Sequence, residues 1–264
     1  LALVKKQEVI EDEAPEIRLT EIKLGQKYKL GNHTLVCGDA TNKEHIDYLI
    51  KDNVIDMVFT DPPYGMFLDT DYSKILGSKK SLGLKNNIKG NKYEKVIGDN
   101  IDFDEKLITE IFKINAKEFV LFGVDYYINL LPNYGKDGSM SIWAKRSSNE
   151  QQKAIGNSFE IIWFSNKHKK KIYNFEWFGF LSKDSPEEAK NRLHPTMKPI
   201  KLINLIFNDI NKDYKNILDI YGGSGSTLIA CEQLERNCFI MEIDPKYCQV
   251  IIDRWQNLTG QKAE

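Results

Sequence analysis

An α/β fold built on an open, doubly wound and mostly parallel sheet is what this sequence predicts, and three observations predict it. Apolar runs of strand length alternate with helical segments along most of the chain, and that alternation places helices on both faces of a parallel sheet. Near the C-terminus a strand, a glycine turn, a helix, a second strand and an acidic residue follow one another in that order. At 264 residues the chain is long enough for one such domain and needs no second core.

Taken in order, the first predicted strand is 33–37, ending in Leu35-Val36-Cys37, and a helix over 42–51 follows it. The run Val54-Ile55-Asp56-Met57-Val58-Phe59-Thr60 gives a strand at 54–60. Helix is predicted over 103–115, strand over 117–123, and helix again over 125–131. Strands at 139–143 and 159–164 come next, the latter read from Phe159-Glu160-Ile161-Ile162. A helix over 200–211 leads to Ile217-Leu218-Asp219-Ile220-Tyr221, a short buried strand within 216–220. Thr227 to Leu234 reads as helix (226–234), Cys238-Phe239-Ile240-Met241 as strand (238–242), and 246–257 as the last helix.

Two turns carry chemistry. Just past the strand at 54–60 stand Asp61-Pro62-Pro63-Tyr64. An ionised Asp is acceptor-only, and the prolines stiffen the turn while adding carbonyls without N–H donors. Such a rim accepts both protons of a planar NH2 group, and Tyr64 offers a ring on which a base can stack, worth ~1–3 kcal/mol. Taken alone, the four residues are equally an ordinary turn, since Asp and Pro are turn formers.

The second turn is Gly222-Gly223-Ser224-Gly225-Ser226, between a strand and a helix, with Glu242 at the end of the next strand, nineteen positions after Gly223. Glycines let a backbone approach a ligand closely, and an acid at this distance holds ribose hydroxyls, as in Rossmann-like nucleotide-binding units. A nucleoside-containing cofactor is implied. The third glycine of a dinucleotide fingerprint is absent, which disfavours NAD without excluding it.

Together these residues resemble the S-adenosylmethionine-dependent DNA amino-methyltransferases, in the order of their beta group. The similarity runs over most of the chain through three separated motifs: Asp61 to Tyr64, His194-Pro195-Thr196-Met197-Lys198-Pro199, and Asp219 to Thr227. Further similarity lies in Val36-Cys37-Gly38-Asp39-Ala40, Trp143-Ala144-Lys145, Phe159-Glu160-Ile161-Ile162, Ile243-Asp244-Pro245-Lys246-Tyr247 and Arg254-Trp255. The layout particularly resembles phage and prophage enzymes, some of them joined to a ParB-like domain. The resemblance implies a class I methyltransferase fold in permuted order and S-adenosyl-L-methionine as cofactor, with S-adenosyl-L-homocysteine as product and no metal.

The resemblance also implies roles. Asp61, Pro62, Pro63 and Tyr64 grip the target base. Asp39 and Ala40 lie near the cofactor's adenine, Thr196 and Lys198 near its methionine end, and His194 is structural. Asp219, Tyr221, Gly222, Gly223, Ser224, Gly225 and Thr227 form the cofactor turn, with Glu242 and Ile243 beyond it. One departure stands out: Asp219-Ile220-Tyr221 replaces the usual Asp-Pro-Phe, which loosens the turn slightly. Asp at the first catalytic position favours the N6 amine of adenine over the N4 amine of cytosine, with exceptions. The reaction is direct transfer to a flipped base. A catalytically silent nucleic-acid-binding subunit is the rival of another class, against which the intact Asp61, Pro62, Tyr64, Gly223, Gly225 and Glu242 argue.

Composition agrees with a soluble enzyme: 41% hydrophobic and 28% charged residues. No apolar run approaches the ~20 residues of a membrane span and no signal peptide is evident, so the expected location is cytoplasmic. Cys37, Cys231, Cys238 and Cys248 lack C-x-x-C pairing and read as reduced core residues, not metal ligands.

The net charge of −1 looks wrong for a DNA enzyme, but its distribution matters more than its sum. Residues 1–20 are acidic and read as a linker or the end of a missing domain, and 21–264 as one methyltransferase domain. A basic loop at 66–98 carries Lys79, Lys80, Lys85, Lys89 and Lys92. Lys167, Lys169, Lys170 and Lys171 open a small target-recognition insertion at about 165–192, followed by aromatics of which Phe175 and Trp177 read as core. A solitary lysine run is usually a solvated face; two runs, one after the catalytic turn and one beside aromatics, suit phosphate contacts with DNA. An insertion this small leaves sequence recognition to share with the basic loop, a homodimer partner or a missing N-terminal domain.

Overall fold

The computed structural model describes residues 15, 17–63, 104–132, 137–146, 157–176 and 197–264. Nine strands form one sheet among these residues: β1 (Lys27–Leu30), β2 (His33–Cys37), β3 (Ile55–Thr60), β4 (Ala116–Phe122), β5 (Ser139–Ala144), β6 (Phe159–Phe164), β7 (Ile172–Asn174), β8 (Asn216–Asp219) and β9 (Asn237–Glu242). Their order across the sheet is β1-β2-β9-β8-β3-β4-β6-β5-β7. The five central strands from β2 to β4 are parallel, whereas β1 pairs antiparallel to β2 and β6 antiparallel to both β4 and β5. From β3 the chain winds first to β4 and later to β8 on the other side, so the winding reverses at β3. In open α/β sheets ligands bind beyond the strand carboxyl ends at such a reversal.

The central strands read as near-continuous apolar runs because both faces are covered, successive residues pointing to opposite faces. One face takes Leu35, Met57, Phe59, Val120, Phe122, Ile217 and Ile240, packed under α3 (Ile200–Asp209), α4 (Ser226–Gln233) and α5 (Pro245–Thr259). The other takes Val36, Val58, Leu121, Leu218, Phe239 and Met241, packed under α1 (Lys43–Ile50) and α2 (Lys106–Thr109). Local signals start two of these helices. Asn42 caps α1 by accepting the Glu44 N–H, and Asp244 caps α5 by accepting the Lys246 N–H, with Pro245 at the first helical position.

Four elements differ from the sequence reading. The helix predicted over 103–115 is only the single turn of α2 followed by a 3-10 turn at Ile111–Lys113. That over 125–131 is two 3-10 turns, Val124–Tyr126 and Ile128–Leu130. Gly123, at φ +63°, turns the chain sharply there, and the buried Tyr127 hydroxyl donates to the Phe122 carbonyl at 2.5 Å, which ties the segment back to β4. Strands β1 and β7 were not predicted. β1 is half polar and exists as the edge of a hairpin whose Leu30 pairs with His33 across the tight turn at Gly31, while the three-residue β7 is set by its pairing to β5. All four cysteines are buried and free.

Candidate active site

Asp61 follows β3 and the glycine turn follows β8, and the register Val58↔Leu218 brings the two turns to the same level at the rim. A cleft between them is lined by Thr60, Asp61, Phe122, Lys198, Asp219 and Gly223 among others. Its floor is braced by Asp219, which accepts from Thr60 Oγ1 at 2.7 Å, Thr227 Oγ1 at 2.6 Å and the Tyr221 N–H at 3.1 Å. Burial pushes its carboxyl up to about 6 in spite of these donors. Asp219 thus ties the end of β3 to the glycine turn and the first turn of α4.

The three glycines have separate physical reasons. A side chain at Gly222 would meet Ile240 Cγ1 at 2.6 Å and the Met241 carbonyl at 3.0 Å, and at Gly225 (φ +83°) it would meet Ile251 at 2.9 Å, so both let neighbouring elements close up. Gly223, at φ +50°, has nothing within 4 Å on its Cβ side among the described residues and lies on the cleft, a cradle left open. Its N–H donates to Glu242 Oε2 at 2.7 Å, and Glu242 Oε1 accepts the Asp244 N–H at 2.9 Å. Burial raises the Glu242 carboxyl to about 7. The Ser224 carbonyl instead accepts from the buried Arg254 guanidinium at 3.0 Å, so it faces α5.

The other expected cofactor residues gather at the neighbouring strand end. Cys37 pairs with Glu242, and the Gly38 N–H donates to the Glu242 carbonyl at 2.9 Å, which sets Asp39 and the buried Ala40 beside Glu242. Asp39 Oδ1 accepts from the Thr41 N–H and hydroxyl at 2.8 Å each, and its own N–H donates to His45 Nδ1 at 3.0 Å. Ile243 is 36% exposed at the rim. In the departing triplet, Ile220 is fully packed in the core, and the Tyr221 hydroxyl donates to the Leu107 carbonyl at 2.8 Å, a tie to α2 that phenylalanine could not make.

Around Asp61 the structure holds a chain of alternating charge. Lys198 Nζ bonds Asp61 Oδ2 and lies 3.4 Å from Glu160 Oε2, and Lys145 Nζ donates to Glu160 Oε1 at 3.0 Å. The two ammonium groups also lie over aromatic rings, Lys198 at 4.7 Å from the Phe122 centroid and Lys145 at 4.6 Å from that of Trp143. Asp61 Oδ1 is shielded from solvent and has no hydrogen-bond partner among the described residues. Burial raises the Asp61 carboxyl against the pull of Lys198. Glu160 is drawn the other way, because Lys198 and Lys145 together outweigh its burial and lower it. Sequence reasoning assigned no role to Glu160 or Lys145, although the signal was there: each is a charged residue at the end of an apolar strand run.

Lys198, expected near a cofactor's methionine end, is bonded to Asp61 here. Lys167, Lys169, Lys170 and Lys171, expected to contact DNA phosphates, follow β6 at the end of the sheet away from Asp61. β6 runs antiparallel to β4, so the chain leaves it at the opposite edge: the Ser165 N–H reaches the Phe119 carbonyl and Asn166 Nδ2 the Lys117 carbonyl. Asp61 lies at the level of Phe122, about 16 Å further along the strands at ~3.3 Å per residue. Lys171 is moreover paired with Asp209 at 2.5 Å. β7 carries the chain back, since the Phe175 N–H bonds the Ala144 carbonyl on the Asp61 side. Phe175 packs partly buried against the core, as expected. Tyr64, Lys79, Lys80, Lys85, Lys89, Lys92, Trp177, His194 and Thr196 lie outside the described residues.

Fold and site together define an α/β domain with an open glycine turn, a buried glutamate beside it and a shielded carboxylate on one rim. Residues 55–253 match the family model described as DNA methylase, of the N6/N4 type, and the chain belongs to that family. It is 28% identical to the type II methyltransferase M2.MboI of Moraxella bovis over 246 residues, covering 81% of this chain and 86% of that protein. It is 25% identical to M2.LlaDCHI of Lactococcus lactis subsp. cremoris, covering 76% and 82%. Among solved structures, M1.HpyAVI in complex with SAM aligns at TM-score 0.48 and 22% identity, covering 83% of this chain and 97% of that one.

Proposed function

We propose that this chain transfers the methyl group of S-adenosylmethionine to the N6 amine of adenine in DNA. The observation that carries the reading is Asp61: Oδ2 is engaged by Lys198, while Oδ1, shielded and without a donor among the described residues, borders the cleft that the glycine turn also lines. A shielded acceptor left unmade is costly, and an amine N–H satisfies it. The target base must leave the helical stack to reach this depth. Asp61 and the Pro62 carbonyl then accept from the amine, which directs its nitrogen lone pair into the cleft, and Tyr64 stacks on the base. Preference for adenine rests on aspartate at the first position of the motif.

The residues fit the cofactor. Gly223 leaves an open cradle at positive φ, and Glu242 stands beside it, its carboxylate accepting backbone N–H groups that include Gly223 and Asp244. Glu242 would hold the ribose hydroxyls, Asp39 and Ala40 would border the adenine, and Thr196 would serve the methionine end, with Lys198 retained by Asp61. When bound, S-adenosylmethionine supplies an electrophilic methyl group on a sulfonium. What the chain itself contributes is position and electrostatics.

Incubation with labelled S-adenosylmethionine and DNA of mixed sequence, then digestion to nucleosides, tests this. Labelled N6-methyladenine is expected. Labelled N4-methylcytosine would overturn the choice of base, and unlabelled DNA in the face of measurable cofactor binding would favour a silent subunit.

A further inference from the structure

We propose that Glu160, held by Lys145, is a positioning residue: it fixes Lys198 on Asp61 Oδ2 and so leaves Asp61 Oδ1 as the acceptor for the substrate amine. The inference rests on the methyltransferase reading and deepens it, because no part of the catalytic turn itself explains why one oxygen is engaged and the other free.

The four groups come from four places in the chain. Asp61 follows β3, Lys145 follows β5, Glu160 lies on β6 and Lys198 precedes α3. Their side chains are only 23%, 19%, 14% and 11% exposed. A lysine this shielded, on a flexible four-carbon stem, has no single resting place unless something on its far side holds it. Glu160 does so as an ion pair at 3.4 Å, its Oε2 making no hydrogen bond among the described residues, and the Phe122 ring at 4.7 Å closes a further side. Lys145 in turn occupies the other Glu160 oxygen at 3.0 Å, so Glu160 cannot swing away to solvent without abandoning a charge-assisted bond.

Charge balance is the second consequence. Two ammonium groups and two carboxylates sum to zero, which lets a shielded Asp61 stay ionised and able to accept. The groups facing Asp61 and Lys198 from the surrounding elements are Glu160, Lys145, the Tyr127 hydroxyl after β4 and Asp219 on β8. Burial dominates at Asp61; of the neighbours, Glu160 raises its carboxyl and Lys145 lowers it. Removing either charge therefore moves the ionisation of Asp61, and in opposite directions.

The experiment is single-turnover methyl transfer to DNA across pH, with cofactor affinity measured by calorimetry, for Glu160→Gln, Lys145→Met and the double variant. Glu160→Gln should slow transfer roughly 10–100-fold at neutral pH, the scale of a displaced catalytic group, with cofactor affinity nearly unchanged. Its acid limb should move to lower pH, and that of Lys145→Met to higher pH, each by roughly one unit. The double variant restores charge balance, and its acid limb should return towards that of the native enzyme. A role confined to packing would slow all three without opposed shifts, and that result, or a native profile in all of them, overturns the proposal. Should Glu160→Gln fail to fold, the upward shift in Lys145→Met and its reversal in the double variant decide. Absence of transfer by the native enzyme would instead refute the methyltransferase reading.

Discussion

Replacing Gly223 by Ala separates the cradle from the fold. At φ +50° a non-glycine residue is strained by roughly 1–2 kcal/mol, which in a chain of this size lowers the melting temperature by about 2–8 °C. The added methyl meets no atom of the described residues within 4 Å, so its further effect falls on whatever the cradle holds. Overpacking by one methyl costs roughly 1–3 kcal/mol, a loss of cofactor affinity of about 5–150-fold. Gly260 provides the control. It caps α5 at φ +70° with nothing within 4 Å, and it takes no part in lining the cleft. Gly260→Ala should share the thermal loss and bind S-adenosylmethionine like the native chain. Calorimetric titration and thermal denaturation of both variants read the two effects apart. Native affinity in a folded Gly223→Ala protein would refute the placement of the cofactor on this turn.

Three further outcomes follow from the same geometry. The Glu242 carboxyl is raised by burial to about 7 from its ordinary 4.5. The folded state therefore holds its proton more tightly than the unfolded one, and stability from this group, up to about 3 kcal/mol, is present below about pH 4.5 and lost as pH rises to about 7. Because ribose hydroxyls donate to the charged form, cofactor affinity should rise from about pH 6 to about pH 8, and Glu242→Gln should flatten that rise; a parallel rise in the variant counts against it. Thr227→Val leaves Asp219 Oδ2 without its donor at nearly constant shape, and should cost roughly 1–3 kcal/mol in chemical denaturation, more at pH 8 than at pH 5. An equal loss at both pH values would show that Asp219 is not the group affected. Replacing Lys167, Lys169 and Lys170 together by Ala should leave the transfer rate and its salt dependence unchanged, because they leave the sheet at the far edge; a fall in the salt slope by roughly 0.9 per lysine would place DNA there.

The central strands and the placement of the two turns were legible in the sequence because each rests on local pattern. Met57-Val58-Phe59 alternates between two apolar faces, Gly222 to Gly225 needs space or positive φ, and Asp244-Pro245 announces a helix. β1 and β7 were not legible, because short strands with polar residues exist through their pairing and not their composition. Nor was the direction of the lysine run after β6, since its adjacency in sequence to a predicted strand says nothing of which edge that strand ends on.

What the sequence by itself determined is the layout: a parallel core in which the Asp61 turn and the glycine turn both follow strands, with an acid at Glu242. Only the tertiary structure decided what surrounds Asp61. Lys198 and Asp61 are 137 positions apart, and the ordering of Lys145, Glu160 and Lys198 into alternating charge depends on β6 running antiparallel to β4, which brings Glu160 to the rim at Asp61 and carries Lys167 away from it. Strand direction in a mixed sheet is settled by long-range pairing, and long-range pairing leaves no local mark on the residues it brings together.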